Sequence, residues 1–186
     1  MFDTIGDKER VKTLISDFKC SRNEDLEDFL LNSSIRMEEA DKTRTFLVLE
    51  EGKIYNDNEK FRILGYFSLG NKAVQIAGKL SKSKIQKLDG MSKEVEIIEC
   101  YLIGQLGKNE IYESDIDGKT ILDNAMDMIE LAKSVVGRRV VLVESVDNKK
   151  VLKFYNDNGF TKIDEMEVDN KKTGKKEKLH QLIKRI

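Results

Sequence analysis

One segment in the last third of the chain carries the residue types and spacing best suited to chemistry. It contains Asn148, the aromatic pair Phe154 and Tyr155, and Gly159 followed by Phe160. A tyrosine hydroxyl can donate a proton to a leaving group, and glycine is the usual residue at a left-handed helix end. The spacing predicts a short helix that ends at the glycine. One of its two aromatic side chains would pack, and the other would face a cleft.

The elements that must position this helix are two strands and a longer helix. Residues 140–144 form a short apolar run, which predicts a buried strand, and a polar break at 145–148 separates it from the helix. Residues 94–107 predict a longer strand, apolar enough to be covered on both faces for much of its length. Residues 118–136 show a strong helical pattern. A helix that crosses between two strands of one sheet joins them in parallel, so we expect 94–107 and 139–144 to be parallel.

The rest of the chain predicts additional helices and antiparallel strands. Residues 11–15 suggest a short strand, and a helix capped by Ser21 or Asn23 would run to about Ala40. Two strands at 43–52 and 61–70 predict a hairpin around a polar turn at 52–59, and two more strands follow Phe160. We therefore expect an α+β fold with a mixed, mostly antiparallel central sheet and helices on both faces. At 186 residues, the chain predicts one domain that spans 1–186.

Composition excludes several classes of function. Charged residues make up 36% of the chain but nearly cancel, leaving a formal net charge of −1, so no global field draws the protein to nucleic acid or membrane. No apolar run approaches the ~20 residues that a membrane-spanning helix needs, and the first residues lack a signal peptide's apolar core. We expect a cytoplasmic protein. Cys20, Cys100 and the single histidine, His180, lack metal-ligand spacing, so no metal is predicted.

The spacing of the chemical segment resembles a known signature. Asn-x5-Phe-Tyr-x3-Gly-Phe, from Asn148 to Phe160, is similar to the motif of the GCN5-related N-acetyltransferases (GNATs). The resemblance implies acetyl-CoA as co-substrate and direct attack of an amine on its thioester. It implies that Tyr155 protonates the departing thiolate and that Asn148 binds the cofactor arm or a bridging water. No residue is assigned as general base, although Glu94, Glu96 and Glu99 are available.

The same resemblance implies a cofactor-binding strand end and loop. Main-chain groups of Leu106, Gly107 and Lys108 would meet the acetyl carbonyl and the pantetheine arm, and a Gln/Arg-x-x-Gly-x-Gly/Ala loop would hold the pyrophosphate. The corresponding residues are Glu113, Ser114, Asp115, Ile116, Asp117, Gly118 and Lys119. Glutamate replaces Gln/Arg and isoleucine replaces the first glycine of the family pattern. Three carboxylates therefore surround the expected anion site, which raises the electrostatic cost of binding a diphosphate.

These acids allow two other interpretations of the loop. Glu113, Asp115, Asp117 and Gly118 have the spacing of the first half of an EF-hand calcium loop, but Asn124 stands where a bidentate glutamate should be. Alternatively, the acids are simply helix N-terminal residues that favour the positive end of the helix dipole. On that view the chain would be a GNAT-fold binding module that has lost its acetyl-CoA site.

The order of the amino-terminal elements narrows the resemblance. Phe18-Lys19-Cys20, a helix, and the strand sequences Arg44-Thr-Phe-Leu-Val and Leu64-Gly-Tyr-Phe-Ser-Leu resemble a GNAT branch. That branch includes toxins that acetylate aminoacyl-tRNA, and also relatives that are not toxins. Lysine-rich segments at 79–87 and 171–178 offer possible RNA contacts. The amine acceptor stays open, as does the choice between monomer and homodimer.

Overall fold

The computed structural model describes residues 7–50, 62–169, 174 and 176–186. The helices are α1 (Lys8–Ile15), α2 (Glu24–Asp28), α3 (Ser34–Glu39), α4 (Lys82–Asp89), α5 (Gly118–Val136) and α6 (Lys149–Asp157). A π-helical turn, Phe29–Ser33, joins α2 to α3, and a 3-10 turn spans Glu110–Tyr112. The strands are β1 (Thr43–Leu49), β2 (Ile63–Gln75), β3 (Ile97–Lys108), β4 (Val140–Val146), β5 (Thr161–Asp169) and β6 (Lys176–Arg185).

The strands form one six-stranded sheet in the order β1-β2-β3-β4-β6-β5. β3 and β4 are parallel, with Tyr101 to Ile103 opposite Val141 to Val143, and α5 connects them as the sequence predicted. The pairs β1–β2, β4–β6 and β5–β6 are antiparallel. The expected α+β fold with a mixed, mostly antiparallel sheet is confirmed. The predicted turn at 52–59 lies outside the described residues.

The prediction of a strand at 11–15 is wrong, because these residues belong to α1. The Asp7 side chain caps this helix by accepting a hydrogen bond from the Glu9 amide. Val11 and Ile15, four residues apart, are both buried. That spacing places them on one helical face, but so short an apolar run does not separate strand from helix by its pattern alone.

The chain forms two compact units, and the first comprises Met1–Gly70 with Gly104–Ile129. Its core contains α1, the α2–α3 region and the start of β2, with Tyr66 and Phe18 fully buried and in edge-to-face contact at 5.2 Å. The helix predicted to end near Ala40 is present, with Asn23 as its cap. A Cβ on Gly65 would lie 2.8 Å from the Gly107 carbonyl oxygen, so glycine permits close approach of β2 and β3.

The second unit comprises Asn71–Ile103 with Glu130–Ile186. Its core joins β2, β3, β4, β6 and α4, and includes Val140 and Leu142 of β4. The predicted buried strand is confirmed for β4, whose first four residues are all buried. The coverage of both faces that we expected for much of β3 fails at the start of that strand, where burial alternates and Ile97 is 55% exposed.

No helix among the described residues is long and apolar enough to cross a membrane. The two units are defined only by the contacts within each of them. They therefore do not test whether residues 1–186 form a single domain, and that statement stays a prediction.

Candidate active site

Helix α6 is held at both ends by its own sequence. The Asn148 side-chain oxygen accepts hydrogen bonds from the amides of Lys150 (3.0 Å) and Val151 (3.4 Å), which makes it the N-cap. At the other end Gly159 has φ of 84°, and the Phe160 amide donates to the Tyr155 carbonyl at 3.0 Å. The predicted helix and its glycine stop are therefore confirmed.

Tyr155 lies on the last turn of α6 and is nearly buried, with 9% of its surface exposed. Its ring has edge contacts with Phe154 at 5.2 Å and Phe160 at 5.4 Å. The hydroxyl has no hydrogen-bond partner among the described residues. Its oxygen retains some exposure to solvent. Burial raises the pKa of Tyr155 to about 12, because an apolar site disfavours the phenolate. The group is thus a protonated donor at neutral pH, and no residue that the structure describes accepts its proton.

The loop before α5 shows how the first of the three acids is neutralised. Glu113 receives a bidentate pair of hydrogen bonds from Arg22 at 2.5 and 2.8 Å. Lys108 donates to the Glu113 carbonyl at 3.1 Å. The neighbouring acid Glu110 accepts from the Ser21 hydroxyl and the Arg22 amide. The loop is therefore tied to residues 21 and 22, a connection 91 residues long that no sequence pattern indicated.

The other two acids have local partners. The Ser114 hydroxyl donates to Asp115 at 2.9 Å, and Asp117 accepts from the amide and hydroxyl of Thr120 at 2.7 and 2.8 Å. These bonds lower the pKa of Asp117 and make it the cap of α5. Lys119 is paired with Asp123 at 2.5 Å.

These contacts test whether the loop suits a calcium ion or a diphosphate. The acids turn to three separate partners, and the described residues contain no cluster able to hold a metal ion. Gly118 begins α5 as expected, so the loop offers backbone N–H groups to a phosphate. The Asp117 carboxylate already occupies the Thr120 amide, however, and adds a negative charge beside the others. The fit to a diphosphate is therefore partial and rests on the backbone, Lys108 and Lys119.

Side-chain packing accounts for the glycine near the end of β3. A Cβ on Gly107 would lie 2.9 Å from the Leu26 side chain, so the glycine has a structural reason independent of a cofactor. Leu106 and Lys108 are half-buried beside it, and the next residue, Asn109, donates its amide to the Leu64 carbonyl at 2.9 Å. The strand end is thus fixed in position.

Sequence reasoning missed one carboxylate in the second unit. Glu144 of β4 accepts from Lys72 at 2.7 and 2.8 Å and from Gln181 at 2.8 Å. Its side chain is only 19% exposed. The signal was present in the sequence, because Glu144 is a charge that directly follows four apolar strand residues.

The second unit also contains His180 and the lysines near α4. The His180 side chain is 5% exposed, with Nε2 3.2 Å from Asp147 and Nδ1 3.8 Å from Glu165.

The lysines near α4 fall into two sets. Lys79 and Lys82 (the paired lysines) form ion pairs with Asp164 and Glu94, respectively. Lys84 and Lys87 (the unpaired lysines) are exposed on α4 and form no ion pair among the described residues. Of the predicted segment 171–178, residues 171–173 and 175 lie outside the described residues.

Comparison with solved structures finds several similar folds. A tyrosine-to-phenylalanine variant of KacT is 20% identical, covers 92% of this chain and 86% of its own, and has a TM-score of 0.68. AtaT complexed with acetyl-methionyl-tRNAfMet is 22% identical, with coverage of 89% and 85% and a TM-score of 0.65. The chain has the GNAT fold.

A third similar structure, AtaTR bound with AcCoA, is 21% identical, with coverage of 90% and 84% and a TM-score of 0.60. No family model matches the sequence, and no curated protein matches it significantly. At these identities the likeness establishes the GNAT fold, while activity has to be argued from the residues.

Proposed function

We propose that this GNAT-fold chain transfers the acetyl group of acetyl-CoA to a primary amine. The observation that carries the proposal is the state of Tyr155, a protonated hydroxyl that is buried enough to be oriented and has no partner among the described residues. A structural tyrosine would normally bond its hydroxyl within the protein. Tyr66 does so, donating to the Leu26 carbonyl at 2.7 Å. A donor left open at the end of a short capped helix suits general acid catalysis.

The residues that the resemblance assigns have separate roles in this proposal. In the first unit, the main chain at Leu106, Gly107 and Lys108 would bind the acetyl carbonyl and pantetheine arm, and residues 113–119 would bind the pyrophosphate. In the second unit, Tyr155 would protonate the sulfur as the thiolate leaves. Acetyl-CoA supplies an activated thioester, so positioning of the amine is the main remaining requirement.

Asn148 would have two tasks in this proposal. Its side-chain oxygen caps α6 and thereby fixes the helix that carries Tyr155. Its side-chain amide group would donate to the cofactor arm or to a bridging water. An Asn148→Asp variant keeps the capping oxygen and removes this donor, so it separates the two tasks.

The favoured acceptor is the α-amino group of an aminoacyl-tRNA. Two things support it: the similar fold of AtaT, which was solved with acetyl-methionyl-tRNAfMet, and the unpaired lysines on α4. Lysines without carboxylate partners are free to bind phosphates, which supply most of the affinity for RNA. The formal net charge of −1 means that such binding would depend on this local surface.

Calorimetry with acetyl-CoA and a transfer assay with labelled acetyl-CoA test the proposal. We expect saturable binding and transfer to aminoacylated tRNA, with little transfer to uncharged tRNA. Transfer to spermidine or a lysine peptide in place of tRNA would keep the acetyltransferase and exclude the tRNA acceptor. Absence of acetyl-CoA binding by the folded protein would refute the proposal and favour a binding module. Growth arrest on induced expression, with rescue by a neighbouring gene, would identify a toxin.

A further inference from the structure

Glu144 occupies a position where a hydrophobic residue would be expected. On the same face of β4, Val140 and Leu142 are 1% and 0% exposed and belong to the core of the second unit. Burying a carboxylate beside them costs free energy that its partners only offset, and an apolar residue of similar size is often as stable. A half-buried charge at such a position is a candidate for a role other than stability.

Strand geometry places Glu144 and Tyr155 on opposite faces of the sheet. Glu144 is directly opposite Gln181 of β6 and bonds to it, so the two side chains share one face. Lys184 is three residues further along β6 and therefore points to the other face. Its amine lies 5.8 Å over the ring of Phe160, which contacts Tyr155. The proton donor is thus on one face and the carboxylate on the other.

Acyl transfer from a thioester needs two proton transfers at different atoms. The base acts at the attacking nitrogen and the acid at the departing sulfur, so groups on the two faces of the sheet can serve the two atoms separately. Glu144 directly follows Val143, the last residue of β4 that pairs with β3. The acids available from the sequence suit this task less well. Glu94, Glu96 and Glu99 are exposed, and Glu94 is bonded to Lys82.

We propose that Glu144, oriented by Lys72 and Gln181, accepts the proton that the acceptor ammonium must lose before it attacks. This inference rests on the acetyltransferase function proposed above. The carboxylate takes one proton from the ammonium, directly or through one water. The amine nitrogen then bonds to the acetyl carbon as the carbon–sulfur bond breaks. Tyr155 gives its proton to the thiolate, and both side chains return to their starting states by exchange with solvent.

Glu144→Gln is the decisive variant, because the amide retains the shape and an oxygen that accepts from Lys72. We expect kcat at pH 7 to fall by about 10²-fold, the scale of one general base, with the Kd for acetyl-CoA unchanged. The loss should shrink as the pH rises beyond the pKa of the acceptor amine, about 8 for an α-amino group and about 10.4 for a lysine side chain, because the amine is then already neutral. Lys72→Met should also lower kcat, though by less than Glu144→Gln, because it removes two of the hydrogen bonds that orient the carboxylate and leaves the one from Gln181.

Asp164→Asn provides a matched control, because Asp164 is a half-buried carboxylate bonded to a lysine in the same unit. It should leave the pH profile unchanged. Thermal melts establish that each variant is folded, and the assay uses the most active of aminoacylated tRNA, spermidine and a lysine peptide.

An active wild type with an unchanged Glu144→Gln rate, or with a loss equal at every pH, would overturn the role of Glu144 alone. A wild type that binds no acetyl-CoA or acetylates none of these amines would overturn the acetyltransferase proposal and this inference with it.

Discussion

Replacing Tyr155 by phenylalanine should separate catalysis from stability. The substitution removes only a hydroxyl, and that hydroxyl has no hydrogen-bond partner among the described residues. The contacts with Phe154 and Phe160, at 5.2 and 5.4 Å, are made by the ring and survive. The free energy of unfolding at neutral pH should therefore change by less than about 0.5 kcal/mol.

The catalytic effect should be much larger than the stability effect. Loss of one general acid lowers turnover by about 10²- to 10⁴-fold, which corresponds to roughly 3 to 5 kcal/mol of transition-state stabilisation. Single-turnover transfer of labelled acetyl measures this loss, and calorimetry should show unchanged affinity for acetyl-CoA. An unchanged single-turnover rate would remove Tyr155 from the mechanism.

Tyr66→Phe is the matched control for this experiment. Its hydroxyl donates to the Leu26 carbonyl at 2.7 Å, so its loss should lower the free energy of unfolding by about 1 kcal/mol and leave turnover unchanged. The two variants should thus show opposite patterns. Equal losses of stability in both would show that the Tyr155 hydroxyl has a partner after all.

Alkaline unfolding provides a second test of the same hydroxyl. Because burial raises the pKa of Tyr155 from 10.0 to about 12, the folded chain keeps this proton where the unfolded chain releases it. Stability should fall as the pH rises from about 10 to about 12, by on the order of 2 to 3 kcal/mol from this residue. Tyr155→Phe should remove that part of the decline. Identical denaturant midpoints for the two proteins at pH 9 and pH 12 would contradict the burial argument.

Three further predictions address the loop, the lysines and the sheet. Asp117→Asn keeps the cap of α5 and removes a charge, so calorimetry at low salt should show acetyl-CoA binding roughly four-fold more tightly; equal affinity would place the phosphates elsewhere. Replacing Lys84 and Lys87 by glutamine should lower the salt slope of tRNA binding by about one per lysine, whereas the same change in the paired lysines should do so less. Gly65→Ala places a Cβ 2.5 Å from Ile121 and should destabilise by about 1 to 3 kcal/mol in chemical denaturation; adding Ile121→Val should recover part of this loss.

The sequence predicted the local features of the fold well. Helix α6 has a polar cap, an amphipathic pattern and a glycine stop, and all three signals lie within a dozen residues. The parallel arrangement of β3 and β4 followed from the crossover rule, which depends on connectivity alone. The strand predicted at 11–15 was wrong because four or five residues span too little of either period to distinguish them.

The site depended on contacts that a linear pattern does not contain. Arg22 and Glu113 meet across 91 residues, and Lys72 meets Glu144 across 72. Each pair brings together residues from distant strands or loops, and nothing in their local sequences marks them as partners. The three acids of the loop appeared equivalent in the sequence. In the structure one pairs with an arginine, one with a serine and one caps a helix.

The π-helical turn Phe29–Ser33 ties the amino-terminal helices to the edge of the sheet. Leu30 and Ile35 both enter the first core, although five residues of a regular α-helix would separate their directions by about 140°. The wider turn brings them to the same side and sets the orientation of α3. Deleting one residue there would rotate α3 and carry Glu38 away from the Thr45 amide, to which it now bonds at 3.1 Å. A single surplus amino acid in a helix thus governs the docking of an outer strand.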